Sequence, residues 1–291
     1  MMSCSDGIKP NEGNDGFGLI TALMFVLLVA AVITPLAVLG RGQVLASAYS
    51  TRRTAFELLS PGLSLVAYAG QPKSPILTGW QQCMGDGKVF YLHIQDQNGL
   101  IGLNSASNAL LKIGFLSLGY IESDATRFAD RIEIYREIGS DEPGTDKDAA
   151  FIVKHAPFEN IAELYDVLTP PLPDLGKIAR IFTIQNKTDT VTIAHSPPAL
   201  RRQLERHDQA LQFAAAGNLP SGHAEISFAE FKAGEPSGFL STVMLASATG
   251  DGASPNILQK ETVFTSLSTL DLDPMAPMPC PDLLKRLTEG L

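Results

Sequence analysis

The stretch REIGSDEPGTDKDAAF, residues 136 to 151, gathers Glu137, Asp141, Glu142, Asp146 and Asp148 on a segment broken by Gly139, Pro143 and Gly144. Hard cations such as Ca²⁺ take about six to eight oxygen ligands on a flexible loop, and these carboxylates could supply several of them. Their spacing is not that of an EF-hand, and a solvated acidic loop with Lys147 among the charges is the competing reading. No other constellation carries chemistry. The five histidines (His93, His155, His195, His207 and His223) form no His-x-x-x-His pair and have no Cys-x-x-Cys partner of the kind zinc uses. There is no Gly-x-Ser-x-Gly, no phosphate-cradling glycine loop and no dinucleotide fingerprint. Serines and aspartates are plentiful, but no spacing joins nucleophile, base and orienting acid. The chain is accordingly not read as an enzyme.

Composition narrows the class further. The chain has 291 residues, of which 45% are apolar, enough to bury one good core or two small ones. Its net charge of −9 argues against a nucleic-acid-coating protein, which needs a concentrated Lys/Arg face. Of the three cysteines, Cys4 lies in the opening segment, which leaves Cys83 and Cys280 either as one bridge or as two buried thiols.

The segment that must carry the rest lies near the start. From Phe17 to Gly40 no residue is charged, and as a helix this run reaches roughly 36 Å, against about 30 Å for a hydrocarbon core. A secretory signal has a shorter apolar region, of about 7 to 15 residues. Pro35, a breaker in a soluble helix, is tolerated in a membrane. Beyond it, QVLASAYSTRRTAFELL (43 to 59) spaces Val44, Ala48, Thr51, Ala55, Leu58 and Leu59 at helical steps, which predicts an amphipathic stem. Ser60-Pro61-Gly62 is expected to interrupt it. Lys9 is outnumbered by Asp6, Glu12 and Asp15 on one side of the run, while Arg41, Arg52 and Arg53 follow on the other, the reverse of the positive-inside bias.

In the body, KVFYLHIQDQNGLIGLN (88 to 104) predicts a hairpin. Val89, Tyr91 and His93 would share one face, Phe90, Leu92 and Ile94 the other, and Asn98-Gly99 would form the turn. Two helices follow, one marked by Leu110, Leu111, Phe115 and Leu118. The second is marked by Phe128, Ile132 and Tyr135, with Ser123-Asp124 as its cap. After Arg180 the pattern turns to strands, in IFTIQNKTDTVTIAH around a turn and then in AEISFAEF, GFLSTVMLASATG and ETVFTSLSTLDL. Between them, residues 196 to 217 read as a helix entered at proline. The tail DPMAPMPCPD is too proline-rich for regular structure.

A polar leader ending in glycine, then Phe, an unbroken apolar run and an amphipathic stem resembles the amino terminus of type IV pilins and type II secretion pseudopilins. Carried over, that resemblance places a prepilin peptidase cut between Gly16 and Phe17. Most of the family keep Glu at the fifth mature position, where this chain has Thr21; the protein K class of minor pseudopilins is the one that lacks it. Asp96, Gly99, Gly102, Leu103 and Asn104 echo a K-class element that leads into a helical insertion, and Pro157, Phe158, Glu163 and Leu164 echo its later helix. The resemblance covers roughly residues 16 to 185. It implies an α+β fold, with a long N-terminal transmembrane and stem helix packed on an antiparallel pilin-like sheet and an inserted all-helical domain. It also implies a structural calcium ion in an acidic loop after the second inserted helix, with Tyr135 and Glu137 at its entry.

The expected organisation is a leader at 1–16, a transmembrane and stem helix at 17–70, a discontinuous β domain at 71–97 plus 182–291, and a helical insertion at 98–181. The resemblance implies a single-pass inner-membrane protein with a periplasmic body that supports secretion from the tip of a fibre. Its partners would be other minor pseudopilins, the prepilin peptidase and the inner-membrane assembly platform. The alternatives are a minor type IV pilin, or a membrane-anchored helix-hairpin-helix module built on FENIAELYDVL that would contact DNA backbones; the acidic chain and missing Gly-x-Gly hairpin weigh against the last.

Overall fold

The computed structural model describes residues 15–69, 79–85, 88–137, 154–168, 172–206, 210–215, 222–232, 234–247, 255–270 and 278–279. The chain divides into two units, Met1–Ala55 and Phe56–Leu291. Helix α1 (Asp15–Ala69) begins in the first and ends in the second. Both prolines lie inside it, so the interruption expected at Ser60-Pro61-Gly62 does not occur.

The stem stripe is also corrected. Val44, Ala48, Thr51, Ala55, Leu58 and Leu59 are all exposed. In the second unit the buried face of α1 is instead Phe56, Ser60, Leu63, Ser64 and Ala67, spaced four, three, one and three, which is one side of a 3.6-residue helix. The polar members fit because they are small. Ser64 returns its hydroxyl to the Ser60 carbonyl at 2.8 Å, so a helix can lie close on a sheet with that donor satisfied.

That sheet has six strands: β1 (Gln81–Gly85), β2 (Lys88–Asp96), β5 (His223–Lys232), β6 (Ser237–Ala246), β7 (Asn256–Ser266) and β8 (Met278–Pro279), ordered β7-β6-β5-β2-β1-β8. All neighbours are antiparallel except β8, which runs parallel to β1. The alternation read from β2 holds. Phe90, Leu92 and Ile94 enter one core with Ile226, Phe228, Phe239 and Val243, against Phe56, Leu63 and Ala67 of α1. Val89 and Tyr91 enter a smaller cluster on the other face with Ala229, Phe231 and Leu270. Phe56 stacks on Phe228 and Phe239 with ring centroids 6.1 and 5.8 Å away. Two short strands, β3 (Ile101–Gly102) and β4 (Phe182–Thr183), pair in parallel as a separate sheet.

The hairpin expected at Asn98-Gly99 does not form. A 3-10 turn at Gln97–Gly99 follows β2, with the Asp96 side chain accepting from the Asn98 amide at 2.9 Å. The chain then leaves the large sheet for β3. Gly99 serves close packing here, because a Cβ on it would run into the His195 carbonyl.

A second core belongs to the helices. It joins α2 (Asn108–Ser117), α3 (Glu122–Arg136), α4 (Leu164–Val167) and α5 (Leu175–Ala179), with Leu110, Phe115, Phe128, Ile132, Leu164 and Ile178 buried together. Phe115 meets Phe128 edge-on at 5.2 Å. The cap of α3 is Ile121, so Ser123-Asp124 lies inside the helix, where Glu122 and Asp124 put negative charge in the first turn. Val191, Leu200, Leu204 and Phe213 pack with this helical core, although they lie beyond residue 181. The strand pair expected in IFTIQNKTDTVTIAH is reduced to β4, an isolated bridge at Val191 and a 3-10 turn at Ile193–His195. The helix expected over 196–217 appears as α6 (Pro198–Arg206) and α7 (Ala210–Phe213). The proline-rich tail contributes β8.

Candidate functional site

The first candidate is the apolar run itself. Gly16 and Phe17 fall in the first turn of α1, and the Phe17 side chain is exposed. Phe25, Leu28, Ile33, Leu36 and Leu39 are exposed as well. An exposed apolar row of this length is not stable in water, and the helix is long and apolar enough to cross a membrane. Thr21 fits such a setting, because its hydroxyl donates to the Phe17 carbonyl at 2.8 Å and leaves no unsatisfied donor in an apolar medium.

The second candidate is the acidic segment. Of its five carboxylates, Glu137 is exposed at the end of α3, while Asp141, Glu142, Asp146 and Asp148 lie outside the described residues. Among the described residues no group of three or more His, Cys, Asp or Glu is placed to hold a metal. Glu137 meets a residue beyond the segment: the His155 ring Nδ1 lies 3.0 Å from the Glu137 carbonyl oxygen, with His155 in a left-handed conformation. Behind them Tyr135 donates to Glu163 at 2.9 Å, and Lys154 reaches the same carboxylate at 3.1 Å. Burial, then Glu163, pushes the Tyr135 phenol up to about 12, so it remains a donor at any physiological pH. Glu163 also closes a capping box with Asn160, which starts a 3-10 turn at Ile161–Glu163 running into α4. FENIAELYDVL is therefore two short turns whose Leu164 and Val167 face the helical core.

Among the described histidines, His195 has a partner that pattern reading missed. His195 Nδ1 sits 3.0 Å from Asp96 Oδ2, and both side chains are 1% exposed. Gln95 donates to the Asp96 and His195 carbonyls at 2.8 and 3.0 Å, and the Thr192 amide donates to Asn98 at 2.8 Å. An acid-histidine pair is half of a nucleophilic relay, yet at this burial no substrate reaches it. Ser196 beside it turns its hydroxyl to Thr192. The pair ties the end of β2 to the turn before α6. A signal for it existed only as two polar residues about a hundred positions apart. His93 is held neutral, its pKa lowered to about 4 by burial and then by Arg180, and its ring tilts against Trp80 at 5.3 Å. Cys83 is buried and disulfide-bonded; Cys280 lies outside the described residues.

No protein-family model and no curated protein matches this chain by sequence. Among solved structures, a chain of the crystal structure of the GspK-GspI-GspJ complex from the type 2 secretion system of enterotoxigenic Escherichia coli matches with a TM-score of 0.50 at 10% identity. The match covers 76% of this chain and 99% of that one. At that identity the likeness bears on architecture: with its long apolar N-terminal helix, antiparallel sheet and further helices, this chain has a GspK-like, α+β pilin-like fold.

Proposed function

We propose that this chain is a minor pseudopilin, a structural subunit at the tip of a type II secretion fibre that supports protein transport across the outer membrane. The observation that carries the reading is the exposed, uncharged helix from Phe17 to Gly40 on a chain with a GspK-like fold. Among the described residues of its own unit nothing covers the helix's apolar surface, which suits lipid before assembly and neighbouring helices after it. In this reading residues 1–16 are a leader cut after Gly16 by a prepilin peptidase. The chain then rests in the inner membrane by one span with its body in the periplasm, and an assembly platform delivers it to other minor pseudopilins. The solved complex of GspK with GspI and GspJ supports partners of that kind. The helical lobe adds bulk that a tip position accommodates and a shaft, surrounded by neighbours, would not.

Mass spectrometry of the mature amino terminus tests the reading. It expects Phe17 first, with N-methylation in support; an intact Met1, or a cut beyond Ala37, overturns it. Calcium belongs to the same proposal as a structural ion held by Glu137, Asp141, Glu142, Asp146 and Asp148. Saturating Ca²⁺ should then raise the melting temperature of the body, and an unchanged Tm removes the ion from the account.

A further inference from the structure

Pro61 lies inside α1, eight residues before its end. A proline there has no backbone N–H, so the carbonyl four residues earlier, on Glu57, loses its helical donor; this is the usual reason for a kink. The helix nevertheless continues to Ala69. A substitute donor is present: the Lys260 ammonium of β7 donates to the Glu57 carbonyl oxygen. The sheet register makes this reach possible. Lys260 stands opposite Val243, which is buried in the core that receives Phe56, so the lysine projects on the helix side of the sheet. The contact comes from the outermost strand, where a lysine also discourages pairing with another chain.

We propose that Lys260 and Pro61 form a lock. The lysine supplies from the edge strand the hydrogen bond that the proline removed, where α1 continues helical through Pro61. A charged donor to a carbonyl is among the stronger hydrogen bonds available, and it is made by one flexible side chain at the sheet margin. The local stability of α1 at Pro61 therefore depends on β7, roughly 200 residues along the chain from the proline, and losing that contact should loosen the helix around Pro61. The lock concerns the fold of Phe56–Leu291 and stands whether or not the chain joins a fibre.

A double-mutant cycle on the full chain in detergent tests it, with amide hydrogen exchange over Phe56–Ala69 as the readout. Lys260→Met keeps the alkyl stem and removes the donor; exchange around Pro61 should rise about tenfold, the equivalent of one lost charge-assisted bond. Pro61→Ala restores the backbone donor, so adding Lys260→Met to it should change exchange hardly at all, while Lys260→Arg in the native background should keep protection. An equal rise in both backgrounds, or none beside Pro61, overturns the lock.

Discussion

Helix α1 contains two apolar regions that meet opposite fates. From Phe17 to Leu45 its large side chains are exposed. From Phe56 to Ala69 they alternate by face, with Phe56, Leu63 and Ala67 buried against the strands and Leu58 left out. The later region finds its partner within the chain, in Phe228 and Phe239. The earlier one is apolar all round, which suits a surrounding of lipid or other helices more than a single sheet. The difference teaches that one helix can carry two separable tasks: one region packs into the body, and the other is long and apolar enough to cross a membrane.

That separation can be broken in two crossed ways. Phe56→Ala removes a ring stacked on two others and should cost the body about 3 to 5 kcal/mol, visible as a lower denaturant midpoint with membrane association unchanged. Leu28→Arg should do the reverse, adding about 2.5 to 3.5 kcal/mol to insertion and releasing the chain in carbonate extraction while the body's melting temperature stays put. If either variant moves both readouts, the two regions are not independent.

A smaller effect sharpens the comparison, because it should touch the body alone. Burial, and then Glu261, push the Glu225 carboxyl up to about 7, so the folded state holds a proton that the unfolded chain gives up near 4.5. Stability from this group therefore falls as pH rises through that window. His93 acts oppositely: lowered to about 4 from 6.5, it costs stability as pH falls. Glu225→Gln should leave the histidine slope uncovered, and the melting temperature should then climb more steeply with pH between about 4.5 and 7 than in the native chain. Equal slopes would place Glu225 in water.

Strands β5, β6 and β7 were legible because alternation and β-branched content survive in any context that buries one face. Helices α2 and α3 were legible by their apolar stripes. Three readings failed for one shared reason. Asn98-Gly99 looked like a hairpin turn, Pro61 like a stop, and the proline-rich tail like irregular chain, each judged by neighbours in sequence. In the fold, Gly99 makes room for His195, Pro61 is compensated by Lys260, and Met278–Pro279 borrows β1 as a partner. Of the acidic segment's five carboxylates only Glu137 falls among the described residues, so the calcium reading rests on their being gathered on one loop.

By itself, then, the sequence determined what depends on local composition: an uncharged run long enough to span a bilayer, a helix continuing from it, alternating strands after it, and an acidic net charge that argues against nucleic acid. Tertiary structure decided which side of the stem is buried, how a proline is carried inside a helix, and that Asp96 and His195 meet with both side chains out of water. Those outcomes rest on contacts between residues far apart in the chain. Their free energy depends on geometry that no local window contains.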